Sequence, residues 1–314
     1  MKKLMTIFGK FQERRIFFIL LGFWIVMTIF YPREFLNPII LKTTVLAMSS
    51  IAVIAVGMTI LLVSGGFDLS VGSVVTFTGV IAALLMKTGI PWYVAMVSAV
   101  ICGAVIGLGN GLMIAKLRIN PFITTLGMMI FIRGLATIVS GGNNIPIMND
   151  SYKWVGQASL LGVQIPIWVC VVIVIFGDFL LRKSRYFRQN YYIGGNEQAA
   201  ILSGIPVTKI KIKNYMLSGA LAAIAGILLS ARLGNGSLTA GIAMEFKVVT
   251  AAIIGGCALT GGKGTVIGAF FGAMLMATID TSINIMPVDS YWQEFVTGIV
   301  LIFAIIVDSI GKKE

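Results

Sequence analysis

The chain has 314 residues, 58% of them hydrophobic and only 11% charged, with a mean hydropathy of +0.97. That composition excludes a water-soluble domain, whose surface needs far more charge, and defines an integral membrane protein. The formal net charge of +12 sits in clusters between apolar runs rather than along one face, so it points to no nucleic-acid partner.

The N-terminal "MKKLMTIFGKFQERR" is basic and leads into an apolar run from Ile16 to Tyr31. A cleaved signal peptide would share that start, but "YPREFLNP" follows instead of a small-residue cleavage site, which reads as a retained first span. A membrane helix needs about 20 mostly apolar residues, and the runs between Gly, Pro and charged breaks give about ten candidates. They fall at roughly 16–31, 43–63, 72–87, 92–115, 121–140, 165–181, 214–233, 244–260, 264–285 and 291–308. The third and eighth are the weakest, being short or rich in glycine. The chain therefore reads as one all-α, polytopic membrane domain, 1–314.

An even number of spans puts both termini on one side, and the basic residues select the cytoplasm. With the N-terminus inside, most of the 24 Lys and Arg fall on cytoplasmic segments: 1–15, Lys116 and Arg118, the long segment 182–213, Lys263, and Lys312 and Lys313. Arg33, Lys42, Lys87, Lys153, Arg232 and Lys247 fall at or near the outer ends, and Arg133 lies within a span. The polar segment 141–164 then faces the outside, with Trp154 and Trp168 near an interface where tryptophan commonly sits. The three cysteines, Cys102, Cys170 and Cys257, lie within apolar stretches at no paired spacing and read as small packing residues.

Two glycine-rich stretches echo each other. "GGFDLSVG" (65–72) and "GGCALTGG" (255–262) share G-G-x-x-L-[S/T]-x-G, and each precedes a glycine-containing apolar run. Internal repeats are common in transporters. The span count puts both motifs on the cytoplasmic side, which a simple inverted repeat would not do. A miscounted span, a parallel repeat and a coincidence of glycine-rich turns all remain open. "GGKGT" also resembles a phosphate loop but fails its pattern, since Cys257 stands where the first glycine is required and Gly264 follows Lys263.

Polar groups inside apolar spans are costly and raise a functional hypothesis, with interhelical hydrogen bonding as the alternative. Arg133, Thr125, Thr137 and Ser140 cover an arc of roughly 120° on the fifth span. Asp280 and Asn284 share a face of the ninth at i, i+4 spacing. Asn110 lies in "GLGNGL", where small residues allow close helix packing. Asp68 and Ser70 belong to the first glycine motif, with Asp68 expected to cap the following helix. No nucleophile sits with a base, and no metal-ligand spacing is present. The lack of histidine and of a chain of buried carboxylates weighs against proton coupling.

Within the basic segment 182–213, "GGNEQAAILSGIPV" (194–207) carries a helix signal: Asn196 as cap, "EQAAILS" as helix, Gly204 and Pro206 as stop. Two turns are not stable alone in water, so this helix is expected to persist only by docking, on the membrane surface or on a partner protein.

"GMTILLVSGGFDLSVGSVV", "NPFITTLGMMIFIRGLA", "IGGNEQAAILSGIPVTKIKI", "AGILLSARL" and "GGCALTGGKGTVIGAFFG", in this order from about 45 to 308, resemble the permease subunit of ribose-type ABC sugar importers. "GGxDLSVG" and "GGNExAAxLSGI" carry most of the specificity. The resemblance implies a helical permease of about ten spans in the bacterial cytoplasmic membrane. It implies pairing with a second permease subunit, a cytoplasmic ATPase carrying ATP and magnesium, and an extracytoplasmic sugar-binding protein. No cofactor on the chain itself is implied. In that family the cytoplasmic helix fits a groove on the ATPase, here Asn196 to Ser203 flanked by Gly194, Gly195 and Gly204, with Glu197, Ala199, Ala200 and Leu202 on it. One departure is "MEFKVVTAA", where Lys247 stands in place of an acid. "NNIPI" and "IDTSINI" lean slightly toward relatives that handle furanose sugars. The other class considered is a self-sufficient ion- or proton-coupled carrier, for which Asp280 is the fair candidate for a coupling carboxylate.

Overall fold

The computed structural model of the chain describes residues 2–286, 289 and 292–310. Tyr291, Lys312 and Lys313, which figure in the expected last span and in the charge bias, lie outside the described residues. The fold is almost entirely helical. In chain order the helices are α1 (Lys2–Phe30), α2 (Pro32–Phe35), α3 (Pro38–Val63), α4 (Val71–Lys87), α5 (Trp92–Ala115) and α6 (Pro121–Ser140). The segment between α6 and α8 holds β1 (Ile145–Pro146), α7 (Asp150–Gln157), β2 (Ser159–Leu160) and β3 (Val163–Gln164). Then come α8 (Ile165–Lys183), α9 (Arg185–Gly195), α10 (Glu197–Leu202), α11 (Val207–Leu233), β4 (Asn235–Gly236), α12 (Met244–Ile254), α13 (Val266–Ile285) and α14 (Trp292–Ile310). The strands are two-residue pairings, β1 with β4 and β2 with β3, both antiparallel.

Asn-Pro pairs start two of the spans for a local reason. Asn37 and Asn120 each accept a hydrogen bond from the backbone N–H two residues on, at 2.9 and 2.8 Å, while Pro38 and Pro121 fill first-turn positions that need no donor. Gly141 and Gly234 close α6 and α11 with φ of 65° and 68°.

Among the described residues, α3, α5, α6, α8, α11 and α13 are long and apolar enough to cross a membrane, and α4 and α14 are shorter apolar helices. Each expected span overlaps a helix, but α1, α3 and α11 begin before the expected starts at 16, 43 and 214, and two further differences bear on the site. The expected eighth span, 244–260, is helical only over the 11 residues of α12, about 16 Å and half a hydrocarbon core. Its helix stops at Gly255–Gly256, where Gly256 has φ 98°. The expected long cytoplasmic loop, 182–213, is mostly helix, because α11 begins at Val207 directly after Pro206 and runs through Lys209, Lys211 and Lys213.

α3 is the central post, buried along most of its length, with α11, α13 and α8 around it. Apolar burial cannot drive helix association within lipid, so close approach of small residues must do it. α5 supplies Gly103, Gly107 and Gly111 at four-residue spacing, and α11 lies directly on them. A Cβ on Gly103 would meet Gly219 O at 2.5 Å, one on Gly107 would overlap Tyr215 O, and one on Gly111 would meet Ile212 Cα at 2.8 Å. Any side chain there forces the two helices apart.

The two glycine motifs form the same kind of helix end. At the end of α3, Gly66 N donates to Leu61 O and Gly65 N to Leu62 O, both 2.9 Å. At the end of α12, Cys257 N donates to Ala252 O at 3.0 Å and Gly256 N to Ile253 O at 2.9 Å. The left-handed residue is the first glycine of one motif (Gly65, φ 79°) and the second of the other (Gly256), one position off the sequence echo. The loops also touch, since Gly262 N donates to Val63 O at 2.9 Å.

Candidate functional site

Three polar features stand out of this apolar bundle. The first lies at the start of α4. Asp68 is buried and accepts from Ser70 N at 2.8 Å and Ser70 Oγ at 2.6 Å. Asn110 on α5 reaches over with Nδ2 2.9 Å from Ser70 Oγ and 3.4 Å from the Asp68 carboxylate. Asp68 thus does not cap α4 as expected. The N-cap position is Ser70, and the carboxylate closes a turn two residues upstream. The cluster pins the irregular segment 64–70 to α5, and Tyr215 OH assists by donating to Phe67 O at 3.1 Å.

The second feature gathers around the first turn of α12. Arg133 of α6 pairs with Glu245 at 3.5 Å; the arginine side chain is 37% exposed and the glutamate 2%. Two residues on, Lys247 pairs with Asp280 of α13 at 2.7 Å, both side chains largely buried. Gly72 at the start of α4 lies so close that a Cβ there would overlap the Glu245 carboxylate, and Gly241 N donates to Thr76 Oγ1 at 3.1 Å. Two short helices therefore begin side by side, with an arginine and a lysine between neighbouring spans. A cleft of about 540 Å³ opens here between α6, α12 and α14, lined by Met129, Arg133, Glu245, Phe246, Lys247 and Thr297 among others.

The remaining pathway candidates are not brought together. Thr125 is buried and back-bonds to Pro121 O, while Thr137 is exposed and back-bonds to Arg133 O. Among the described residues, Arg133 is the one member of the polar arc on α6 whose side chain bonds to another helix. Asp280 and Asn284 share a helix face but diverge in partner, since exposed Asn284 accepts from Gln293 of α14 at 2.7 Å. Glu245 was not singled out from sequence. Its signal was a carboxylate within an expected span, the same signal that picked out Asp280.

The third feature is α10. Asn196 caps it as expected, accepting from Ala199 N at 2.9 Å, and Gly204 ends it at φ 79°. Its support comes from its own chain: Ala200 is buried on Ile193, Val207 and Ile210, and Glu197 pairs with Lys211 at 2.7 Å. α10 therefore needs no partner to persist, and Ala200 faces inward. Ile201 and Leu202 face out, Leu202 at 88% exposure, and a groove of about 1010 Å³ runs from α10 to the α5–α6 turn at Arg118 and Asn120. Gly195 has open space around it, whereas Gly194 is wedged. A Cβ on Gly194 would overlap Val63 O and lie 2.5 Å from Gly262 N, and one on Gly261 would meet Gly194 Cα at 2.8 Å. Tyr191 OH donates to Gly264 O at 2.8 Å. The segment bearing α10 is thus seated on the ends of both glycine motifs at once.

A helical bundle crossing the membrane, with a charged cleft between spans and a capped helix with exposed apolar side chains, is the architecture of a transport protein's membrane subunit. The chain belongs to the family described as branched-chain amino acid transport system / permease component, whose model matches residues 40–305. It is similar to the ribose import permease protein RbsC of Escherichia coli strain K12, 38% identical over 267 residues, covering 84% of this chain and 83% of that one. It is also similar to the L-arabinose ABC transporter permease protein AraH of Azospirillum brasilense, 36% identical over 282 residues (90% of this chain, 83% of the relative). The Bacillus subtilis ribose import permease protein RbsC is 35% identical over 286 residues, 90% of this chain and 88% of the relative. No solved structure matches. The chain is a multi-pass integral protein of the bacterial inner membrane.

Proposed function

We propose that this chain is the membrane permease subunit of an ATP-binding-cassette importer for a monosaccharide. A pentose comes first, because the relatives are named for ribose and arabinose; a furanose ring form is the more specific expectation. Two such subunits pair to enclose the pathway. A soluble binding protein delivers sugar from outside, and a cytoplasmic ATPase, holding ATP and magnesium, drives the cycle. The chain itself carries no cofactor. It crosses the membrane about ten times with both termini in the cytoplasm, the eighth crossing being the half-length α12 followed by the glycine-rich turns of residues 255–265. The matching ends of α3 and α12 support an internal repeat in parallel orientation.

The observation that carries this reading is α10, a short helix stabilised internally yet presenting Ile201 and Leu202 outward at the rim of a groove. We assign the contact with the ATPase to Glu197, Ala199 and Leu202, with Asn196 and Gly204 fixing the helix ends. Its seat on Gly194 and the two glycine loops gives motion of the ATPase a route to the breaks before α4 and α13. The cleft at Arg133, Glu245 and Lys247 lies on the pathway. Arg133, Glu245 and Lys247 are each paired, so sugar hydroxyls meet polar groups rather than a free charge there, and selectivity resides in the binding protein. Co-purification with an ATPase and sugar-dependent ATP hydrolysis in the presence of a binding protein test this. A chain that recruits no ATPase refutes it.

A further inference from the structure

Between α7 and α8, β2 and β3 form a hairpin whose two turn residues, Leu161 and Gly162, have φ of 54° and 79°. Two consecutive left-handed residues suit Asn-Gly, and a leucine adopts the first position only against steric resistance. Leu161 is nonetheless 86% exposed at the tip, with Leu160 exposed beside it. Backbone strain that holds an apolar side chain in the open calls for something outside the chain to receive it.

Beside the hairpin runs a groove of about 630 Å³. Ile39 and Val45 of α3 form one wall, and Val163 and Ile167 the other, with Lys42 and Gln164 as polar groups within it. Lys42 forms no ion pair among the described residues. The apolar surface continues onto the exposed face of α8 through Val172, Ile175 and Phe176, which a membrane-spanning helix turns toward lipid. Trp168, at the start of that face, donates from Nε1 to Leu160 O at 3.2 Å, the placement of a ring at the water–lipid boundary.

We propose that this groove binds an anionic glycerophospholipid, with an acyl chain between α3 and α8, the phosphate at Lys42 and the hairpin leucines embedded beside it. Continuity with the lipid-facing side of α8 selects a lipid over a soluble protein, and Lys42, without an ion pair among the described residues, selects an anionic headgroup. The leaflet follows from the topology proposed above; retention of the lipid does not depend on it, nor on transport.

The test is native mass spectrometry of the full chain in detergent with equal phosphatidylglycerol and phosphatidylcholine. Wild type should retain phosphatidylglycerol about fivefold over phosphatidylcholine, the ~1 kcal/mol that one basic residue contributes near an anionic surface. Lys42→Gln should equalise the two. Leu161→Asn, which suits the turn and leaves folding intact, should lower retention of both. Equal retention by wild type, or an unchanged preference in Lys42→Gln, overturns the proposal. So does a Leu161→Asn chain that keeps its lipid but loses affinity for the sugar-binding protein, which would make the hairpin a protein-docking element.

Discussion

Gly194 sits where the α10 segment meets both glycine motifs, and Gly194→Ala perturbs that junction with one methyl group. The added Cβ would overlap Val63 O and lie 2.5 Å from Gly262 N, and all of these are backbone atoms that cannot rotate away. The chain must shift, at an overpacking cost of about 1–3 kcal/mol. Because Gly262 N also donates to Val63 O at 2.9 Å, the shift loosens the bond joining the two loops. A strain of that size borne unequally by two states of a transport cycle changes their ratio by roughly 5- to 150-fold. The outward surface of α10 is untouched, so the ATPase should still co-purify. In proteoliposomes carrying the assembled transporter, sugar uptake per ATP hydrolysed should fall at least several-fold. Wild-type uptake and coupling in Gly194→Ala would refute the reasoning, as would the same loss in Gly195→Ala, where the added Cβ meets nothing within 4 Å.

Lys247→Met leaves Asp280 as an unpaired charge in a largely buried position, and thermal unfolding in detergent should show a loss of about 3 kcal/mol. Lys247→Met with Asp280→Leu should recover most of it. Glu245→Gln removes the charge that faces Arg133 and should cut sugar uptake while leaving the unfolding temperature and ATPase recovery near wild type; unchanged uptake would take the cleft off the pathway. Leu202→Asp should weaken ATPase co-purification without altering stability. Ala200→Leu should instead destabilise the α9–α10 segment, because that side chain already packs on Ile193, Val207 and Ile210.

Helix positions were legible because apolar runs of membrane length admit little else, and Asn-Pro and glycine breaks mark their ends. Three things were not. The early stop of α12 depends on Gly256 adopting a left-handed conformation, while many other glycines in apolar runs stay helical. The partner of Asp280 is Lys247, 33 residues away, so the lysine that departs from the family pattern reads as anomalous in sequence and as one half of an ion pair in space. Ala200 and Leu202 look alike as apolar residues of a two-turn helix. Only the return of α11 beneath them decides that one is core and the other surface.

The central claim is that transport through this chain is powered from outside it. Reconstituting the chain with and without a partner ATPase and binding protein, and following uptake of labelled ribose and arabinose, tests that most directly. Uptake should require all components and hydrolysable ATP and should ignore an imposed pH gradient. Uptake by the chain alone, driven by a pH gradient and abolished by Asp280→Asn, would contradict the account and identify a self-sufficient carrier.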